Sequence, residues 1–101
     1  MHQTAEVTWQ NAYIRLGQAL HEVEHDLFIL GEEEPLRRRQ MEISRERYDM
    51  ALTAFEVGEV NLAQVVVAQQ EAQASDRALQ MLLLERERLT IEYNQLIGIL
   101  P

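Results

Sequence analysis

The sequence predicts an all-α protein, a long antiparallel helical hairpin whose two helices pack as a coiled coil. Only two prolines and four glycines occur among its 101 residues, and the chain is rich in residues that favour helix. Apolar residues recur at alternating steps of three and four along two long segments. Gly58 separates those segments, and glycine adopts the left-handed backbone that ends a helix at little cost. We therefore place the hairpin tip at residues 57–59.

The first predicted helix descends from about residue 4 to residue 57. Its apolar stripe begins as a heptad, and after a polar interruption we expect it to resume on a shifted face with a second line beside it. The stripe is Trp9, Tyr13, Leu16, Leu20, Val23, Leu27 and Leu30, followed by Met41, Arg45, Tyr48, Leu52 and Phe55. The second line is Leu36, Ile43, Met50, Ala54 and Val57.

The interruption lies between Gly31 and Pro35, where we expect a kink. A proline inside a helix removes one hydrogen bond and clashes with the preceding turn, at a cost of about 3 kcal/mol. Ion pairs such as Glu34 with Arg38 return only about 0.2–0.5 kcal/mol each. If packing keeps the bent helix continuous, the chain is a two-helix hairpin, which we favour. If the helix breaks, the alternative is a three-helix bundle.

The returning helix is predicted from about residue 59 to residue 97, with Gly98 and Pro101 ending it. Its main stripe is Val65, Ala68, Ala72, Ser75, Leu79, Leu82, Arg86, Leu89, Tyr93 and Leu96. A neighbouring apolar line is Val60, Ala63, Val67, Ala74, Met81, Leu84 and Ile91. A hairpin alone leaves one of these two lines exposed, which implies self-association or a missing neighbour.

Charge and composition restrict the partners. The net charge of −8 argues against nucleic acid and against anionic membrane surfaces, because both require a basic face. The chain has no cysteine, so no disulfide framework is available, and its length fits a single domain. No run of 18 apolar residues occurs and the first residues lack the order of a signal peptide, so we expect neither a membrane span nor a targeting signal in this stretch. Protein partners remain.

Three stretches of the sequence resemble one family. Around the tip stand Phe55, Gly58 and Leu62, followed by the run Val65-Val66-Val67-Ala68-Gln69. Residues 19–27 read Ala-Leu-His-Glu-Val-Glu-His-Asp-Leu, and residues 92–98 read Glu-Tyr-Asn-Gln-Leu-Ile-Gly. In this order the stretches resemble the periplasmic helical hairpin of the TolC-like outer-membrane efflux proteins, in which an aromatic-x-x-Gly turn precedes a Val-Leu-Asp-Ala-Gln-like run.

The resemblance implies a fragment of one repeat, because a whole member of that family has a second repeat and the strands of an outer-membrane barrel. In the family, three chains form an α-helical tunnel through the periplasm, and the hairpin tips meet the tips of a periplasmic adaptor (membrane fusion) protein. The implied function is therefore structural, as the wall and adaptor-docking tip of a trimeric channel for tripartite efflux of small molecules or metal ions. No enzymatic activity and no cofactor are expected. The implied location is the periplasm, as part of an outer-membrane protein.

The same resemblance places the adaptor contact on Val57, Gly58 and Glu59, with Phe55, Val60 and Leu62 supporting the turn. These six residues are the predicted partner-binding site. Gln64 and Val67 take the tunnel-mouth positions. Many family members carry acidic residues there, so the resemblance does not extend to an acidic gate.

Residues 21–25 read His-Glu-Val-Glu-His and fit the His-Glu-x-x-His pattern of zinc peptidases. No motif elsewhere supplies a third protein ligand, so we expect no catalytic metal and treat His21 and His25 as candidates for adventitious binding only. Glu22 and His25 also fit half of a di-iron site, whose second half is missing. A free-standing coiled-coil or three-helix interaction module is the alternative function, and a metal-binding helical enzyme is a distant third.

Overall fold

The structure, a computed structural model, describes residues 2–99 of the chain and the side chains of residues 4–99. It contains two α-helices, α1 (His2–Glu56) and α2 (Leu62–Ile99), and no strand among the residues described. The two helices pack as an antiparallel hairpin. The predicted all-α hairpin is therefore confirmed.

Contacts divide the hairpin into two compact units. The tip unit, Gly31–Leu84, contains the end of α1, the turn and the first part of α2. The terminal unit contains the first part of α1, up to Leu30, and the end of α2, from Glu85. Each unit is a pair of helical segments held by a single seam, the row of side chains that each segment turns towards the other.

The seam of the tip unit is narrow and mostly aliphatic. Its buried residues are Val65, Leu79 and Leu82 on α2 and Ser44 on α1. Half-buried residues between them are Met41, Tyr48, Leu52, Ala68, Ala72 and Ser75. The seam positions of α2 are thus those that the heptad pattern predicts.

The α1 side of this seam corrects one expectation. Ser44, only 8% exposed, takes the seam position that we assigned to Arg45. The Arg45 side chain is instead 65% exposed and pairs with Asp76 across the seam, at 3.8 Å between Nη2 and Oδ1. Ser44 follows Met41 by three residues and precedes Tyr48 by four, so within the tip unit it belongs to the same heptad stripe as these two half-buried residues. Because Ser44 is polar, the apolar pattern of the sequence does not indicate its place in the seam.

Helix α1 is continuous through Pro35. The alternative of a break, with a three-helix bundle, is therefore wrong. Proline deprives the carbonyl of Gly31 of its usual donor, but Gly31 is exposed and water can bond that carbonyl instead. One of the predicted ion pairs supports the same turn, with Arg38 Nη2 3.8 Å from Glu34 Oε1.

The turn at the tip is a Schellman motif. Gly58 has φ 76°, the one positive φ among the described residues. Its N–H donates to the carbonyl of Phe55 at 3.0 Å, and the N–H of Glu59 donates to the carbonyl of Ala54 at 2.8 Å. These two bonds satisfy carbonyls that the end of α1 leaves unpaired. The predicted reversal at Gly58 is confirmed.

Helix α2 begins at Leu62, about three residues after the position that the sequence suggested. The reason is a capping box at its first turn. The Gln64 N–H donates to Asn61 Oδ1 at 2.9 Å, and the Asn61 N–H donates to Gln64 Oε1 at 2.9 Å. Asn61 is thus the N-cap residue, and two otherwise unpaired donors are satisfied together.

The terminal unit has a smaller core. Val23 on α1 and Leu89 on α2 are each 4% exposed, and both belong to the predicted stripes. Half-buried neighbours along the same stripes are Leu16, Leu20, Leu27, Leu30, Tyr93 and Leu96. Trp9 and Tyr13 form an edge-to-face pair with ring centroids 6.3 Å apart, but both remain more than half exposed. Gly98 does not end α2, which continues to Ile99, and Pro101 lies outside the described residues.

Arg88 forms ion pairs with two glutamates on the exposed surface of α2 in the terminal unit. Its Nε donates to Glu85 Oε2 at 3.0 Å, and its Nη1 lies 3.4 Å from Glu92 Oε2. The hydrogen bond from Arg88 lowers the pKa of Glu85 below its ordinary value of 4.5. The same contact raises the pKa of Arg88.

The seam predicts that alanine substitutions at two nearby apolar residues of α2 have very different effects on the free energy of unfolding. Leu79 is 3% exposed, whereas Met81 is 70% exposed. Leu79→Ala should lower the free energy of unfolding by about 2–4 kcal/mol, because it leaves a cavity in the seam. Met81→Ala, the matched control, should change it by less than about 0.5 kcal/mol. Urea unfolding followed by circular dichroism at low protein concentration measures both, and equal losses would contradict the assigned seam.

The Glu85–Arg88 contact predicts a small dependence of stability on pH. Because the folded pKa of Glu85 is below 4.5, its contribution is present above pH 4.5 and is lost as pH falls through the lowered value. Glu85→Gln should therefore flatten the acid limb of the stability curve below pH 4.5 and leave its shape near neutrality unchanged. Thermal unfolding at a series of pH values, with the exposed Glu87→Gln as control, measures the difference. Identical acid limbs for the two variants would refute the assignment.

Candidate functional site

The six residues of the predicted partner-binding site lie together at one end of the tip unit. Phe55 is in the last turn of α1, and Leu62 is the first residue of α2. Val57, Gly58, Glu59 and Val60 form the turn between them. The Schellman motif and the capping box fix the backbone on both sides of this short connection, so the site is presented by rigid elements.

The tip is apolar and exposed. Val57 is 67% exposed, Leu62 60% and Phe55 42%. Val66, one helical turn after Leu62, is 40% exposed and extends the same apolar surface. We call these four residues the tip surface. Val60 is half-buried, whereas Phe55 and Leu62, for which the same supporting role is predicted, are exposed. A cluster of large apolar side chains on a short turn is typical of an interaction site.

Charges around the tip surface have one sign. Between Arg47 and Arg77 the sequence has no basic residue. Glu56 and Glu59 flank Val57, and both are exposed. A partner that covers the tip surface would therefore have to be apolar at its centre and neutral or basic at its rim.

The two tunnel-mouth candidates differ in what their side chains do. The side-chain oxygen of Gln64 accepts a hydrogen bond from the backbone of Asn61, so this side chain belongs to the cap of α2. Val67 is 53% exposed. Asn61 is not among the predicted site residues, although Asn-x-x-Gln before an apolar run is the pattern of a capping box.

A second apolar line on α2 remains open. In the tip unit its large members are Val67, Met81 and Leu84, which are 53%, 70% and 64% exposed. They follow heptad spacing on the side of α2 opposite to Val65 and Leu79, which are buried in the seam. We call them the α2 line. Its exposure is the expectation for a hairpin without a neighbour.

Helix α1 presents a matching open line within the same unit. Leu36 and Met50 are 70% and 69% exposed, and Ile43 lies between them at heptad spacing. We call these three residues the α1 line. Leu36 and Ile43 border a groove whose rim includes Arg39 and Arg47. Both helices of the tip unit therefore carry one covered apolar stripe and a second one that is exposed except at the half-buried Ile43.

The His-Glu-x-x-His stretch lies on α1 in the terminal unit. His21, Glu22 and His25 are all exposed. Among the side chains that the structure describes, those of residues 4–99, no three His, Asp or Glu come together so that they could hold a metal ion. The arrangement thus offers two histidines without a third protein ligand. Over the same residues, neither helix has a stretch that is long and apolar enough to cross a membrane.

No protein-family model matches the chain, and no significant match to it is found among curated proteins or among solved structures. The resemblance to the TolC-like hairpin therefore rests on the three stretches quoted above, and it stays a prediction.

Replacing glycine by alanine should change the free energy of unfolding in opposite directions at Gly58, which has a positive φ, and at Gly17, which lies inside α1. Gly58→Ala should lower the free energy of unfolding by about 1–2 kcal/mol, because alanine is strained at positive φ. No atom would contact the added Cβ, so the loss comes from the backbone alone. Gly17→Ala, in the interior of α1 and also free of contacts, should raise stability by about 0.5–1 kcal/mol.

Thermal and urea unfolding by circular dichroism measure the two glycine variants. Helicity at low temperature should stay nearly the same in both, since neither change interrupts a helix. Gly58→Asn is a further control, because asparagine tolerates the left-handed region better than alanine. Stabilisation by both alanine variants would show that Gly58 does not hold the strained conformation.

Proposed function

We propose that the chain is a structural, non-enzymatic helical hairpin that forms part of the wall and the docking tip of a trimeric TolC-like efflux channel. The observation that carries this proposal is the pair of open apolar lines in the tip unit. One seam is covered within the chain, while the α1 line and the α2 line are each left for another helix. A hairpin of this kind is suited to stand between two neighbours.

The two open lines lie on different helices, so one copy can offer its α1 line while its neighbour offers its α2 line. When the α1 line of one copy covers the α2 line of the next, the contact is heterologous. Repeated heterologous contacts produce a ring if the rotation closes and a filament if it does not. A closed ring of parallel hairpins is the tunnel wall that the family resemblance implies.

The tip surface supplies the second part of the proposal. Its exposed apolar side chains lie on the turn and on the two adjoining helix ends, and the acidic residues Glu56 and Glu59 flank Val57. The tip of a second helical hairpin, apolar at its centre and without excess negative charge, fits this surface. We assign that role to a periplasmic adaptor protein, with the chain located in the periplasm as part of an outer-membrane protein. The cargo would be small molecules or metal ions.

A free-standing coiled-coil interaction module is the second candidate. The observation in its favour is that open heptad lines fit any helical partner with a complementary stripe. Such a module would bind a different chain through one line and would not need both lines for contacts between its own copies. The order of contacts between copies distinguishes the two functions.

Disulfide cross-linking tests the wall directly, because the natural chain has no cysteine. The seryl side chains of Ser44 and Ser75 meet across the seam, which puts Leu36 of the α1 line and Leu84 of the α2 line at about the same level. A mixture of Leu36→Cys and Leu84→Cys chains should form mixed disulfides in several-fold excess over disulfides between identical variants. The control mixture pairs Leu36→Cys with Gln80→Cys, an exposed position of α2 outside the line.

Analytical ultracentrifugation of the natural chain at high concentration measures whether its copies associate, as a second test of the wall function. The expected result is concentration-dependent association that Leu36→Glu and Leu84→Glu each weaken, without loss of helicity. A chain that stays monomeric and gives no excess of mixed disulfides would refute the wall function. Preferred disulfides between identical Leu84→Cys chains would show a two-fold dimer, which favours the interaction module.

A further inference from the structure

Two histidines lie one helical turn apart on the outer surface of α1. His21 and His25 are both exposed, and α1 is continuously helical through them. Leu20 and Val23 belong to the seam of the terminal unit, so the two imidazoles lie on another side of the helix. Neither imidazole has a hydrogen bond or ion pair with the described part of the chain.

This spacing suits the chelation of one metal ion. Side chains at positions i and i+4 of a helix have Cβ atoms about 5–6 Å apart. A transition-metal ion binds imidazole nitrogen at about 2.0–2.1 Å, so two imidazoles at this spacing can turn towards one ion. Because the helix already fixes the two side chains on one face, little backbone ordering opposes binding.

We propose that His21 and His25 form an open two-histidine site for a divalent transition-metal ion. Imidazole suits copper, nickel and zinc, and among these Cu²⁺ binds most tightly to a given set of ligands. Glu22, Glu24 and Asp26 give this segment a negative charge that attracts cations. The site is independent of the tip surface and of the α1 and α2 lines.

The site is a binding site and not a catalytic centre of the zinc peptidase kind. Among the described residues no third His, Asp or Glu joins the two histidines in a group that could hold a metal. The remaining coordination positions are therefore open to water or to a donor from another molecule. A metal bound in this way links adjacent turns of α1 and favours the helical state over the unfolded chain.

Titration with Cu²⁺ alone tests the proposal. His2 is the third histidine of the sequence and a competing ligand, so every chain in the test carries His2→Ala. In that background we expect one Cu²⁺ per chain, with at least a tenfold loss of affinity in His21→Ala and in His25→Ala. Electron paramagnetic resonance should show two coordinated nitrogens in the parent and one in either variant.

A repositioned pair provides the matched control. Gly17 lies one turn before His21 and has space for a side chain, since nothing lies within 4 Å of an added Cβ. In the double variant Gly17→His with His25→Ala, a new pair at the same spacing should recover affinity to within a few fold of the parent. The thermal midpoint should rise with Cu²⁺ in the parent and in the double variant, and much less in His25→Ala.

Three results would overturn the two-histidine site. They are unchanged Cu²⁺ affinity in His25→Ala, failure of the repositioned pair to recover affinity while circular dichroism shows an intact helix, and a single-nitrogen spectrum in the parent. None of them bears on the wall function, which the cross-linking experiment tests separately.

Discussion

Two packed helices can cover one apolar stripe on each helix, and in the tip unit each helix carries two. The consequence is visible in the burial of the chain, in which no large side chain of the described residues is less than 2% exposed. Val65, Leu79 and Leu82 are buried because α1 covers them, whereas Met81 and Leu84 have no such cover. The hairpin thus leaves apolar side chains on both helices exposed, and this is the physical basis of the proposed assembly.

The turn determines where the exposed surfaces lie. A Schellman motif ends α1 at its last residues and a capping box begins α2, so only residues 57–61 connect the helices. Because backbone hydrogen bonds and the Asn61 and Gln64 side chains satisfy several polar groups at both helix ends, the turn does not require the apolar side chains of the tip surface to be buried. They remain free for a partner. Gln64, which is predicted at a tunnel mouth, takes part in this local hydrogen bonding, because its side-chain oxygen accepts the Asn61 N–H in the cap of α2.

Much of the fold could be predicted from the sequence, because heptad spacing and one glycine carry most of the information. The stripe of α2 was predicted with Val65, Leu79, Leu82 and Leu89 in place, and Arg86 was its one exposed member. Local energies at Pro35 could not decide between a break and a continuous helix, since the outcome depends on tertiary packing. The resemblance to a family predicts which residues form the partner-binding tip. Their exposure depends on how the two helices pack, so only the structure shows it.

The misplaced seam residue shows why a polar pair matters for assembly. Ser44 lies 2.9 Å from both the Gln40 carbonyl and the Ser75 hydroxyl. Ser44 has one proton, so when it donates to Gln40 the bond across the seam must come from Ser75. A slip of α2 by one turn would leave the Ser44 bond to Gln40 intact but would separate the Ser75 hydroxyl from its acceptor across the seam, which costs free energy if that hydroxyl stays buried. The pair therefore favours one register of α2 against α1. In that register Leu36 and Leu84 lie at about the same height along the axis of the hairpin. A polar residue in the seam thus aligns the two lines on which the proposed contact between copies depends.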